Sequence, residues 1–139
     1  MKSKQYGDTY LVRIDYGEEI MSSLKEFCAQ EHIAMARVEA IGAADHAVIG
    51  VYDLGTQTYH QETLDGFYEI TSLNGNVTKV SGAPYIHLHA TLADQQHGLH
   101  GGHVIEMRVG ATCEMFVTAI DARVRREKDE GLGINLWKL

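Results

Sequence analysis

The chain has 139 residues, 45% of them hydrophobic and 22% charged, with a single proline and a formal net charge of −7. This length predicts one domain over residues 1–139, and twelve basic residues against nineteen acidic ones argue against a surface that grips nucleic acid through its phosphates. No apolar run approaches the ~20 residues of a membrane span, and the polar stretch Met1 to Asp8 has no signal-peptide core behind it, so a cytoplasmic protein is expected.

Thr9 to Asp15 alternates apolar and polar residues between turn signals and predicts a first strand. Gly17 then opens a segment in which Ile20, Leu24, Phe27 and Cys28 follow helical spacing. Glu18 and Glu19 stand in its favourable first turn, and the prediction is one main helix over about 18–31. Beyond Ile33 the composition turns β-branched and glycine-punctuated. Candidate strands are Ala36 to Ile41, His46 to Asp53, Thr58 to Leu64, Phe67 to Leu73, Tyr85 to Leu92, Val104 to Val109 and Thr112 to Ile120. The predicted class is α+β: a bent antiparallel sheet or partly closed barrel of about seven strands with one main helix. Cys28 and Cys113 sit among apolar residues without CxxC spacing, which predicts reduced core thiols.

The charged run Arg123, Arg125, Arg126 and Lys128 is followed at once by Asp129 and Glu130, and reads as a solvated tail or a subunit contact. After it come Gly131 and Gly133 and then the apolar Ile134, Leu136 and Trp137. A terminal tryptophan is expected to dock on its own sheet or on a neighbouring subunit.

Eight histidines occur, five of them between positions 87 and 103. In the strand from Tyr85 to Leu92 alternate residues face opposite ways, so Ile86, Leu88, Ala90 and Leu92 share one side while Tyr85, His87, His89 and Thr91 share the other. A hairpin centred near Gln96 then sets His103 opposite His89, their Cβ atoms about 5 Å apart. Three imidazoles on one face are the pattern of a catalytic zinc site with an open position, and Gly101 and Gly102 let backbone approach without a Cβ in the way. The alternative is that the rings are hydrogen-bonded residues of a polar cleft. His97 and His100, in the predicted loop, are weaker candidates as extra ligands or substrate contacts. His32, His46 and His60 read as surface or turn residues.

Glu69 and Glu114 are carboxylates inside otherwise apolar strands, a costly placement unless they are paired or face a cleft, which makes them the candidates for proton transfer. An exposed sheet face is the alternative for each. Arg13 and Arg37 are candidate ion-pair partners or anion contacts.

With these segments in place the chain resembles the plants-and-prokaryotes-conserved domain family. The resemblance is carried by Tyr10-Leu11-Val12-Arg13, Gly17-Glu18-Glu19-Ile20, Ile41-Gly42-Ala43 and the run from Tyr68 to Gly75. It continues through His87-Leu88-His89, Gly101-Gly102-His103 and Thr112-Cys113-Glu114, in order along nearly the whole chain. It implies a bent antiparallel sheet, assembly as a homotrimer, and a histidine motif on His87, His89 and His103. In plants this domain follows an Arg-Gly-Arg-Pro segment that holds the DNA minor groove. This sequence has no such segment, and its only proline is Pro84. The fold is also similar to that of acetolactate decarboxylase, whose zinc is held by a comparable His-x-His and a later His. A cupin would place a Glu shortly after the second His, and Ala90 to Ala93 contain none.

The expectation is therefore a cytoplasmic, homotrimeric, small-molecule-binding protein. His87, His89 and His103 hold zinc or another divalent transition metal, and Glu69 or Glu114 is the proton-transfer group of any metal-dependent chemistry on a carbonyl or ester. The rival is a DNA-associated regulatory protein.

Overall fold

A computed structural model describes residues 1–139. In chain order the elements are β1 (Lys2–Tyr6), β2 (Thr9–Asp15), α1 (Ile20–Gln30), β3 (Ala36–Asp53), β4 (Thr58–Val80), β5 (Ala83–Ala93), β6 (Leu99–Ala119), β7 (Arg125–Asp129) and β8 (Ile134–Lys138). The domain is mostly β, with eight strands in one sheet and one short helix. No helix is long and apolar enough to cross a membrane.

Three predicted pairs of strands are single long strands. Ala36 to Ile41 and His46 to Asp53 are joined in β3, Thr58 to Leu64 and Phe67 to Leu73 lie in β4, and Val104 to Val109 and Thr112 to Ile120 lie in β6. Their joints are register shifts rather than turns, between Ala40 and Gly42 and between Ala44 and His46 in β3. An extra residue on one strand bends it and increases its twist without ending it, so a glycine-rich or polar joint imitates a loop in sequence.

The bending lets β3, β4, β5 and β6 pair in a ring, β3 with β4 and β6, and β5 with β4 and β6. β2 continues the sheet from β6, β1 flanks β2, and β7 joins β4 through the pair Lys79 and Arg125.

Helix α1 is shorter than predicted because Glu19 is its N-cap rather than part of its first turn. The Glu19 carboxylate accepts hydrogen bonds from the Met21 and Ser22 amides at 2.8 and 2.6 Å, groups that a helix start otherwise leaves without partners. Ile20, Leu24, Phe27 and Cys28 turn inward as their spacing requires, and α1 packs on β5 and β6. Leu24 is fully buried, worth about 2 kcal/mol relative to exposure. Phe27 meets Tyr10 edge-on at 5.3 Å. Both cysteines are buried and free, and burial pushes each thiol up to about 12.

The sheet therefore has an inner face and an outer one. Val38, Ala40, Leu73, Val77, Leu88, Ala90 and Leu92 belong to the core, and the residues between them, including Arg37, Glu39, Asn74, His87 and His89, fall on the outer face.

Candidate metal centre

Strand alternation sets up the site as the sequence predicts. Leu88 and Ala90 are held in the core, which fixes His87 and His89 outward from β5. The β5–β6 hairpin pairs His89 with His103. Its loop is only Asp94 to Gly98, closed by the Asp94 carboxylate accepting from the Gln96 and Gly98 amides. The ring centroids of His87, His89 and His103 lie 5.1 to 5.4 Å apart. One nitrogen from each ring falls within 4.8 Å of the other two.

Two glycines allow this approach. A Cβ at Gly75 would land on the His87 carbonyl and on the Leu88 side chain, and one at Gly102 would lie 2.7 Å from the Gly50 carbonyl oxygen. Both strands beside the histidines thus close in where side chains are missing.

Two of the three rings resist protonation. Burial first, then the neighbouring His103, Arg126 and His89 charges, push His87 down to about 4. Burial and then His89 also lower His103. Neutral imidazole is the form that donates a lone pair to a metal.

Around the trio lie residues that the sequence did not announce. Tyr59 stacks on His103, centroids 4.9 Å apart and planes inclined by 30°, and Tyr52 packs on Tyr59 at 5.0 Å. Arg126 is the larger surprise, because the run that contains it reads as a solvated tail. Instead its Nε donates to Thr78 Oγ1, Nη1 to the Asn135 carbonyl and Nη2 to Asn76 Oδ1, each at 2.8 Å. Nη2 also stands 3.4 Å from His87 Nδ1, and the guanidinium lies over the rings of Tyr85 and Trp137. The β7–β8 hairpin is thereby docked beside the histidines, with Tyr52 donating to the Leu132 carbonyl and Gln57 to that of Gly131. Trp137 meets Arg126, its cross-strand partner on β7, and remains 40% exposed. The missed signal was Arg126 and Trp137 at cross-strand spacing around the glycine-rich turn.

The other candidates lie elsewhere. Glu69 and Glu114 are exposed and line one open surface hollow together with Ile41, Phe67 and Thr112, and none of the three histidines lines it. His100 pairs with Asp94 at 3.2 Å, His46 with Asp65 at 2.6 Å and His60 with Asp53 at 3.1 Å. His32 and His97 take positive φ as turn residues. Arg13 and Arg37 pair with Asp15 and Glu39 two residues along their own strands rather than with Glu69 or Glu114.

His103 Nδ1 is buried and has no hydrogen-bond partner. A buried polar atom normally finds one, and a ring nitrogen left free beside two more imidazoles fits a coordinating role. Three nitrogen donors with no carboxylate in the cluster suit a borderline divalent transition metal better than magnesium or calcium.

A bent, mostly β domain with one capped helix and an outward-facing imidazole trio is the class that this geometry defines. The chain belongs to the Plants and Prokaryotes Conserved domain family, whose sequence profile matches residues 1–121. It is similar to a metal-containing protein of Archaeoglobus fulgidus, with 34% identity, a TM-score of 0.90 and coverage of 97% of this chain and 96% of that one. A candidate DNA-binding protein of Bacteroides thetaiotaomicron superposes with a TM-score of 0.96 at 26% identity, over 99% and 96% of the two chains. Acetolactate decarboxylase of Bacillus subtilis shares the fold alone, with 16% identity, a TM-score of 0.60 and coverage of 87% of this chain and 57% of the enzyme. No curated protein matches the chain in sequence.

Proposed function

We propose that the protein is a metal-dependent small-molecule-binding protein in which His87, His89 and His103 hold one divalent transition metal, zinc first among them. The observation that carries this reading is the convergence of three imidazoles, each with a nitrogen within 4.8 Å of the others, on one sheet face. The buried, unpartnered nitrogen of His103 supports it, as does the similarity to a protein described as metal-containing. Bound by these three histidines, zinc would supply Lewis-acid chemistry, polarising a carbonyl or lowering the pKa of water toward ~7.

The residues of this chain supply the rest of the reading. Tyr59, backed by Tyr52, stacks on His103 and Arg126 lies beside His87, so the surroundings of the trio combine aromatic surface with one fixed cation. Such a site favours a compact carbonyl, carboxylate or ester compound. Proton transfer by Glu69 or Glu114 belongs to the proposal only for a substrate that extends from the histidines to their separate hollow. The substitutions Glu69→Gln and Glu114→Gln test that role in any turnover assay.

A homotrimer is part of the same reading. Leu11, Ile41 and Phe116 are exposed by 42, 60 and 54% on the outer face, and Leu11 and Phe116 are cross-strand partners. A contiguous exposed apolar patch marks an interface, and light scattering on the parent and on Phe116→Glu measures whether subunits associate there.

The test of the metal reading is titration with cobalt(II) as a spectroscopic probe. The expected result is a ligand-field band that saturates at one equivalent and is displaced by zinc. An unchanged spectrum contradicts the reading. The similarity to a candidate DNA-binding protein favours a second reading, a regulator held on DNA. A mobility shift that weakens with salt would support it, and the net charge of −7 weighs against it.

A further inference from the structure

A second hollow has Arg126 in its wall and none of the three histidines. It measures about 630 Å³ and is lined by Lys79, Arg123, Arg125 and Arg126 together with His32 and Ser81, with no carboxylate in its wall. Four of the chain's twelve cationic residues thus meet at one concavity of a molecule whose net charge is −7. The cations that form ion pairs are others: Arg13, Arg37, Arg108, Lys128 and Lys138.

The backbone forces these charges together. β7 meets β4 through the single pair of Lys79 and Arg125, so two cations stand side by side in register. Arg125 is in turn opposite Lys138 across the β7–β8 pair. Like charges directly opposite one another are destabilising, and only Lys138 of the three has an acidic partner, Glu127 at 2.6 Å. Arg126 completes the wall, held by its hydrogen bonds to Thr78, Asn76 and Asn135. The nearby turn residues Ser81 and Gly82 both have positive φ, which makes the β4–β5 connection a tight two-residue hairpin and fixes Lys79 close to it.

We infer that this hollow is a binding site for the phosphate group, or a comparable multiply charged oxyanion, of a small ligand. An oxyanion there relieves the opposed charges of Lys79 and Arg125 and meets planar guanidinium donors suited to phosphate oxygens. The size falls within the roughly 300–1,000 Å³ of small-molecule sites. A nucleic-acid backbone fits less well, because it needs cations spaced along a surface, and outside these four residues the chain carries −11. The site is distinct from the histidine trio and touches it only through Arg126. Hollow and trio therefore stand or fall separately.

The experiment is calorimetric titration of the full chain with inorganic phosphate at low salt, alongside Arg123→Gln/Arg125→Gln, His87→Ala/His89→Ala and, as a charge control, Lys25→Gln. Arg123 and Arg125 are exposed, so the first variant removes charge without opening the core. Saturable binding is expected, weakened about tenfold or more in the double arginine variant and unchanged in the other two. Phosphate should also raise the melting temperature of the parent and not of Arg125→Gln. Absence of saturable binding, or an equal loss with Lys25→Gln, would overturn the inference. Loss in the histidine variant alone would move phosphate to the trio and overturn it too. A short DNA duplex that binds more tightly than phosphate and depends on the same arginines would replace the small ligand with a polynucleotide.

Discussion

His89 and His103 stand opposite one another across the β5–β6 pair, ring centroids 5.4 Å apart, and His87 closes the triangle two residues back along β5. His89 is exposed, so its replacement by alanine should leave the metal-free fold close to its parent stability. Zinc added in excess over its dissociation constant should raise the melting temperature of the parent, since a ligand that binds only the folded state stabilises it. The same addition should leave His89→Ala unmoved. Thermal unfolding with and without zinc reads this directly.

Arg126 ties the β7–β8 hairpin to the sheet through three hydrogen bonds and two aromatic faces. Arg126→Ala should cost about 1–3 kcal/mol, because Thr78 and Asn76 lose their partner and the Tyr85 and Trp137 rings lose their contact. Arg126→Lys should recover only part of this, since an ammonium cannot span three fixed acceptors. Urea unfolding followed by Trp137 fluorescence measures both variants, and equal stability of parent and alanine variant would refute the docking role.

Gly75 lies against the His87 carbonyl. Gly75→Ala must push β5 aside and should destabilise by about 1–3 kcal/mol, as overpacking does. Because the displaced strand carries His87 and His89, metal affinity should fall in this variant although no ligand is removed. Competition with a chromophoric chelator quantifies the loss.

The titration of His87 sets a pH window. Its folded value of about 4 lies below the ~6.5 of an unfolded imidazole. Between these values the unfolded chain binds the extra proton, so stability rises with pH across the window and is lost as pH falls from about 6.5 toward 4. His103 is lowered as well and acts in the same direction. Urea midpoints of metal-free protein at successive pH values should therefore decline over this range, and His87→Ala should flatten the decline.

The histidine trio was legible because it depends on two local rules, strand alternation and the symmetry of a hairpin about Gln96, and both hold in the structure. The helix was legible from Ile20, Leu24, Phe27 and Cys28, while its start was misplaced by one function of one residue, the capping carboxylate of Glu19. The long strands were not legible, because a bulge and a turn use the same small and polar residues, as at Gly42 to Asp45. β7 and β8 were hidden for another reason. Arg126 is charged and looks solvated in sequence, yet its hydrogen bonds go to Asn76 and Thr78, some fifty residues earlier. Glu69 and Glu114, each expected as a candidate proton-transfer group for the histidine site, instead line a hollow that the histidines do not share, since nothing in their strands specifies which hollow of the curved face they line.

The measurement that tests the central claim most directly is the metal content of untagged, purified protein by elemental mass spectrometry, with His87→Ala/His89→Ala prepared in parallel. The account predicts about one zinc or other divalent transition-metal ion per chain in the parent and none in the variant. Parent protein that stays metal-free after reconstitution with zinc, or a variant that retains the full complement, would contradict it.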